Sequence, residues 1–408
     1  MNPAPSEPSL SLCLIVRNET PFLRSCVDSV RDVVDEVVIV DTGSTDGTQE
    51  LASELADRMD SIDFDGDFSS ARNKALELTR TEWVLFLDAD ERLEPSQCAL
   101  LRQWLRNCPA DVLAASPMAY NLFATGEFYT GRRIRLIRRR PGVRFERRIN
   151  ESVRASVLRT GGRVVDAPFF INHFGHCRSA ATRKAKAERY LGLMHLQLQD
   201  QPDDAVLEGY VALNLRVLGR FEEALTWSER SMRSGGDNAT VLGFRGHVLR
   251  STGDSDGALA AYSKAYELQP SATMANMIGV MRLEQSDFAS ARAAFARSLE
   301  LEPLMLPAAI NTGLSYQAGC DWARAAHEFA EVAARNPAFL VDEWAGRTEV
   351  DCFRALYNET VFRFSGLAYH LAYCERQAAN PLPTTQAYDR GVGARRDTEN
   401  VRDKTPSF

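Results

Sequence analysis

At 408 residues the chain is longer than one ordinary hydrophobic core serves, which implies two or three domains. Its 45% hydrophobic and 25% charged residues are those of a folded globular protein, and a net charge of -7 argues against a nucleic-acid partner. No apolar run approaches the roughly 18 residues of a membrane span, and Met1-Asn2-Pro3-Ala4-Pro5-Ser6-Glu7-Pro8 lacks a charged stretch ahead of an apolar one, so no transmembrane segment and a cytoplasmic location are expected. The eight cysteines include no Cys-x-x-Cys spacing and read as reduced core residues such as Cys13 and Cys26.

In chain order, Leu10-Ser11-Leu12-Cys13-Leu14-Ile15-Val16 predicts a buried strand ending at Arg17-Asn18-Glu19. Phe22, Cys26, Val30 and Val33 then interleave with Leu23, Val27 and Val34 at helical spacing. A second strand, Val37-Val38-Ile39-Val40, ends in Asp41, an acid placed to hydrogen-bond a ribose or base. The loop Thr42-Gly43-Ser44-Thr45-Asp46-Gly47 opens a helix expected to carry Leu51, Leu55 and Met59 on one face, and its amino end favours negative charge. Helix capping explains Ser44, Thr45 and Asp46 equally well. This order is the opening of a doubly wound α/β sheet.

A third segment, Ser61-Ile62-Asp63-Phe64, precedes Asp65 to Asn73, where Ser69 or Ser70 is expected to cap the next helix. Arg72 in its first turn opposes the helix dipole, a mismatch that an anionic ligand would repair. Trp83-Val84-Leu85-Phe86-Leu87 then reads as a strand buried on both faces, stopping at Asp88-Ala89-Asp90-Glu91. Strand alternation would project Asp88 and Asp90 together at the carboxyl end, where open α/β sheets bind ligands. Two carboxylates so close repel unless a cation lies near them, and a hard divalent ion, Mg or Mn, suits oxygen ligands. A polar turn after a strand explains the pair too, so the surroundings must decide.

Four motifs in order, Val16-Arg17-Asn18-Glu19, Val40 to Thr48, Asp67 to Asn73 and Leu87 to Glu91, resemble family 2 glycosyltransferases of the GT-A fold, in the branch that joins a short transferase domain to tetratricopeptide repeats. The resemblance implies a Rossmann-like mixed sheet over 9–178 and a nucleotide-sugar donor, a UDP-sugar. It places Asp41 on the uridine or ribose, Arg72, Asn18 and Glu19 near the donor, Asp88 on the ribose, and Asp90 on an Mn or Mg ion.

Between Arg132 and Arg148 stand nine arginines and one acid, Glu146. The alternation in Arg133-Ile134-Arg135-Leu136 suggests a strand with one wet face. The block reads first as a solvated surface, with one or two arginines left to meet the donor diphosphate or an anionic acceptor. Asn150-Glu151 stands where the resembling family often has His-Glu. Glu151 is then either the general base that takes the acceptor's proton or one half of a surface ion pair with an arginine of this preceding block. The family's metal histidine matches His173 best, with His176 as a substitute; a satisfied histidine at a domain edge is the competing reading.

From about residue 178 an alanine-rich helical pattern repeats. Ala224, Ala258, Ala291 and Ala325 are 34, 33 and 34 apart, Phe221, Phe288 and Trp322 precede their alanines by three, and Pro270, Pro303 and Pro337 follow theirs by 12. These coincident markers predict an all-α solenoid of at least four tetratricopeptide repeats within 179–340. Capping helices over 341–380 and a disordered tail over 381–408 are expected beyond it.

Three functions fit the sequence. The first is a metal-dependent inverting glycosyltransferase whose repeats dock a protein or peptide acceptor on their concave surface, an oligomer being left open. The second is a non-catalytic repeat scaffold with a degenerate nucleotide-binding domain. The third, a nucleotidyltransferase, is disfavoured because no lysine-bearing phosphate loop follows the first strand.

Overall fold

A computed structural model describes residues 7–123, 128–176, 180–340 and 366–379. Its amino-terminal part is a nine-stranded mixed sheet. Strands β1 (Leu10–Val16), β2 (Glu36–Asp41), β3 (Arg58–Ser61) and β4 (Trp83–Phe86) run parallel in the order β3-β2-β1-β4. Between them lie α1 (Leu23–Val30), α2 (Thr48–Leu55) and α3 (Phe68–Leu78). The second half adds β5 (Glu91–Arg92), α4 (Pro95–Asn107), β6 (Val112–Phe123), β7 (Phe128–Arg132), β8 (Leu136–Arg138), α5 (Arg154–Arg159) and β9 (Arg163–His176). The order continues β4-β8-β6-β9-β5, with β7 also paired to β6.

Two cores follow from strand alternation. Leu10, Leu12, Leu14 and Val16 pack with α1 and α4 on one face, while Cys13, Val38, Val40 and Phe86 pack with α3 and α5 on the other. A continuous apolar run is what a strand covered on both faces requires, and this is why β1, β2 and β4 were legible as unbroken hydrophobic segments.

Local boundaries differ from the sequence reading for identifiable reasons. The first helix stops at Val30 and tightens into a 3-10 turn over Arg31–Val33, leaving Val34 extended. Met59 belongs to β3 and not to α2, which ends at Leu55, so the third strand starts at Arg58 and not at Ser61. An edge strand of mixed polarity carries no apolar run to announce it. Asp67 caps α3, accepting from the backbone N–H groups of Ser69 and Ser70, because the helix begins at Phe68.

The carboxyl-terminal part is a run of helices. After α6 (Ala180–Asp200) come four antiparallel pairs: α7 (Ala205–Val217) with α8 (Phe221–Gly235), α9 (Ala239–Thr252) with α10 (Ser255–Leu268), α11 (Ala272–Glu284) with α12 (Phe288–Leu301), and α13 (Leu306–Ala318) with α14 (Trp322–Arg335). The periodic Ala224, Ala258, Ala291 and Ala325 are all fully buried. Gly246, Gly279 and Gly313 on the first helices lie against the rings of Tyr262, Phe295 and Phe329, where any Cβ would overlap the ring. The repeat period therefore records where paired helices approach too closely for side chains. A 3-10 turn, Pro337–Leu340, follows, and α15 (Leu367–Ala379) packs on α14. Residues 341–365 and the tail beyond 379 lie outside the described residues. No described helix is long and apolar enough to cross a membrane.

The helices dock on the sheet. Met118, Tyr120, Phe170 and Phe174 share one apolar cluster with Phe295, Met305, Ile310 and Phe329 of the last two repeats. The Tyr120 hydroxyl donates to the Leu304 carbonyl at 2.7 Å, Arg132 Nε meets Glu302 at 2.8 Å, and the buried amides of Asn172 and Asn336 bond each other in both directions at 2.8 and 3.2 Å. Replacing Asn336 with Ala strands one buried amide of that pair, at a cost of ~1–3 kcal/mol. We expect a lower urea midpoint for Asn336→Ala than for the exposed-site control Gln285→Ala; equal midpoints would contradict a contribution from this contact.

Candidate functional site

Asp41 is fully buried at the carboxyl end of β2. Its Oδ1 accepts from the backbone of Gly43 (2.9 Å) and Ser44 (3.0 Å) and from Gln49 Nε2 (2.8 Å), while buried Oδ2 has no hydrogen-bond partner. Burial alone would raise this carboxyl, but the bonds from Ser44, Gln49 and Gly43 outweigh it and lower it below its ordinary value. An ionised acid with one oxygen held and one oxygen unsatisfied is a ready acceptor for a ligand N–H or O–H. The described bonds of Asn18 and Glu19 join the neighbouring loops. The Asn18 side chain accepts from Thr45 N at 2.8 Å and its own N–H donates to Ser44 Oγ, while Glu19 N–H donates to Thr48 Oγ1.

Two strands away, a distance of about 10 Å, lies the end of β4. The last ladder bond there is Leu87 N–H to the Cys13 carbonyl, and Glu91 N–H then closes a turn onto the Asp88 carbonyl at 2.8 Å. Asp88 and Asp90 thus lie on a turn, not on a strand face as alternation suggested, and they have different partners. Asp88 takes Arg72 on one oxygen (3.0 Å) and Arg135 on the other (2.6 Å). Arg72 also holds Glu151 (2.7 Å), and Arg135 also holds Glu91 (2.5 Å). Burial pushes the Asp88 carboxyl up, but the two guanidiniums prevail and hold it far below the usual carboxylate range. Because α3 begins at Phe68, Arg72 lies just beyond its first turn, and it is matched here by two carboxylates of the protein itself.

Asp90 instead faces His173, Oδ1 to Nε2 at 3.2 Å. Asn121 sets the imidazole: its Nδ2 donates to the Tyr129 carbonyl (3.2 Å), which turns its Oδ1 onto His173 Nδ1 at 2.7 Å. With the proton on Nδ1, the Nε2 lone pair points at a carboxylate oxygen, an arrangement that needs a proton or a metal ion between the two atoms. Two ligands of one ion, each about 2.1 Å from it and at a right angle, stand about 3 Å apart, so the observed spacing fits a divalent cation. Among the described residues no three His, Cys, Asp or Glu side chains converge as a complete metal cage. Gly175 permits the approach: a Cβ there would come within 2.5 Å of His173 Nε2 and 2.6 Å of Asp90 Oδ2. His176 does not take the place of His173, since its Nε2 is bonded to the Tyr129 hydroxyl at 3.0 Å.

The structure therefore brings Asp88, Arg72 and Glu151 into one ion-pair chain, Asp90 and His173 into a second contact on the same turn, and places Asp41 two strands along the same sheet edge. Four further members, Glu91, Asn121, Tyr129 and Arg135, were not singled out from sequence. Arg135 and Arg138 correct the reading of the arginine block as a solvated face: both are buried, Arg138 with its guanidinium 4.7 Å from the Trp83 ring centroid.

Residues 11–171 match the profile of glycosyl transferase family 2, and residues 211–273 and 245–305 that of the tetratricopeptide repeat. The sheet domain belongs to glycosyl transferase family 2. The chain is 33% identical over 268 residues to a TPR repeat-containing protein of Synechococcus elongatus, covering 63% of this chain and 66% of the relative. It is 25% identical over 233 residues to the SPbeta prophage-derived glycosyltransferase SunS of Bacillus subtilis (56% and 54%). It is 34% identical over 143 residues to the lipopolysaccharide core biosynthesis glycosyltransferase LpsC of Rhizobium meliloti (33% and 52%). The chain thus spans between 52% and 66% of the length of these relatives.

Two outcomes follow for the transferase domain's charge network. Arg135→Met leaves the fully buried Glu91 carboxylate without its cation, and the loss of stability in urea is expected to be ~3–5 kcal/mol; a change under 1 kcal/mol would show the pair to be dispensable. The stability that Asp88 contributes is complete above the ordinary carboxylate pKa of about 4 and is lost as pH falls through its depressed native value. Acid unfolding of the native chain should accordingly steepen below about pH 4, with a flatter profile for Asp88→Asn; superimposable profiles would remove Asp88 from the account.

Proposed function

We propose that the chain is a metal-dependent inverting glycosyltransferase that uses a nucleotide-sugar donor, a UDP-sugar, and an acceptor that includes protein or peptide held by the repeats. The observation that carries this reading is the electron-rich contact of His173 Nε2 with Asp90 Oδ1 at 3.2 Å, beside a turn that ends a buried strand of a family 2 domain. Asp90 and His173 would hold a Mn or Mg ion, which supplies positive charge for the donor diphosphate. Asp41, with its unsatisfied buried oxygen, accepts from the nucleoside, and Asp88, fixed by Arg72 and Arg135, is assigned to the ribose.

In the reaction, the bond from the anomeric carbon to the diphosphate oxygen breaks and its electron pair leaves with the nucleoside diphosphate. The acceptor's nucleophile attacks the same carbon from the opposite face, and its proton passes to Glu151. Arg72 Nε holds Glu151 Oε1 at 2.7 Å, so this orientation leaves Oε2 for the acceptor. The arginine that Glu151 meets is Arg72 of α3, largely buried, and not one of the Arg132–Arg148 block. The acceptor is proposed from the repeats alone, since such arrays bind proteins.

Asp90→Asn is expected to lower turnover by roughly 100- to 1,000-fold, the scale of losing one charge-stabilising contact in the transition state, without shifting thermal unfolding. Full turnover in that variant would remove Asp90 from the reaction. Thermal shift with UDP-sugars, with and without Mn, separates the alternatives. Metal-dependent stabilisation supports the transferase. Its absence favours the scaffold reading, to which the engagement of Asp88 and Glu151 by the same arginine lends its one structural argument. Mass spectrometry of cell lysate treated with the enzyme and a UDP-sugar panel identifies the acceptor.

A further inference from the structure

Glu151 ends a short loop that is anchored to both halves of the molecule. Glu146 and Ser152 close this loop by exchanging two backbone hydrogen bonds, at 3.1 and 3.2 Å. Inside it, Arg147 (φ 84°) and Asn150 (φ 52°) adopt the left-handed conformation. Asparagine tolerates that region, but an arginine is uncommon there and persists where its surroundings hold it.

One side of the loop is held by α3. Just ahead of the loop, Asn73 bonds both backbone groups of Phe145, at 3.0 and 2.8 Å. Ser69 Oγ donates to the Arg147 carbonyl at 2.6 Å and the Phe68 N–H to the Arg148 carbonyl at 3.0 Å. One helical turn beyond Phe68, Arg72 meets the Glu151 carboxylate.

The other side is held by the helical array. The Arg147 guanidinium pairs with Asp204 Oδ2, while Oδ1 of the same carboxylate caps α7. The Ile149 side chain, 3% exposed, joins neither core of the sheet; it packs with Leu191, Met194 and Leu198 of α6 and with Leu207 and Val211 of α7. Its N–H donates to Oε1 of buried Gln197 on α6, at 3.2 Å.

Resting on the transferase reading above, we propose that Gln197 and Asp204 are positioning residues for Glu151, so that the array assigned to hold the acceptor also places the group that deprotonates it. A base must stand within hydrogen-bond reach of the nucleophile, and a misplacement of about 1 Å is costly in rate. Arg72 fixes one carboxylate oxygen but not the backbone from which Glu151 hangs. That backbone has no ladder of its own beyond the closing bridge, and its left-handed Arg147 depends on contacts from both sides. Without the array's contacts, Arg147 is released to relax to a negative φ, which turns the peptides that follow and displaces Glu151.

The test uses the full chain and water as the acceptor. Asp204→Asn keeps the helix cap but gives up the charge that Arg147 meets, and Gln197→Leu fills a similar volume without an acceptor for the Ile149 N–H. With Mn present, three quantities are measured: hydrogen exchange over residues 146–152, UDP affinity by calorimetry, and UDP released from a panel of UDP-hexoses as water attacks the anomeric carbon. Both variants are expected to exchange faster over this segment, to bind UDP like the native chain, and to release UDP roughly 10- to 100-fold more slowly. In a Glu151→Gln background, where the base is already absent, neither substitution should slow release further. Native exchange in both variants overturns the positioning role. So does further slowing in the Glu151→Gln background, or a loss of UDP affinity in step with release, because the effect then bypasses Glu151. In each of those cases the transferase reading stands. A native chain that releases UDP from no UDP-hexose overturns the transferase reading and the positioning role together.

Discussion

The period of two along a β-strand is the constraint on which both halves of this molecule depend. Pairing aligns Tyr129 of β7, Asn121 of β6, His173 of β9 and Glu91 of β5 in a single row across the sheet. The next row is Thr130, Tyr120, Asn172 and Arg92. Successive rows point to opposite faces. The first row therefore supplies the imidazole, its orienting amide and a carboxylate of the site, while the second supplies Tyr120 and Asn172 to the fourth repeat. A slip of one residue in the pairing of β6 with β9 would exchange the two sets, putting His173 under the repeats.

The charges around this row are arranged as a chain, Glu151–Arg72–Asp88–Arg135–Glu91, in which each arginine spans two acids. Buried ion pairs of this kind fix geometry more than they add stability, because desolvation offsets most of the attraction. What the chain achieves is placement: it pins the turn after β4 to α3 on one side and to the β7–β8 connection on the other. Asp90, on the same turn, faces the imidazole.

Much of this was legible from local pattern. The buried strands, the acid at the end of β2, the paired acids after β4 and the 34-residue rhythm of the repeats are all written in contiguous residues. The site's remaining parts are products of pairing between distant segments, which no local period encodes. Asn121 matters because β6 places it opposite His173, 52 residues away, and Arg135 matters because β8 lies beside β4. A signal for the arginines was present: in Arg133-Ile134-Arg135-Leu136 the two charges share a face, and two like charges on one buried-edge face call for acids opposite. The edge strand β3 escaped for the reverse reason, since its four residues are mostly polar and its only apolar anchor, Met59, sits at a spacing that suits a helix as well.

The double attachment of the helical array sets its length. Its first helix, α6, meets the sheet domain where Gln197 accepts from the Ile149 N–H two residues from Glu151, and the end of α14 meets β9 at Asn172. Between these moorings run four helix pairs whose accumulated curvature must span from one side of the sheet to the other. The array behaves as a calibrated arch: one unit more or fewer would bring its far footing down in the wrong place, so the number of repeats is as much a part of the transferase's architecture as the strands are.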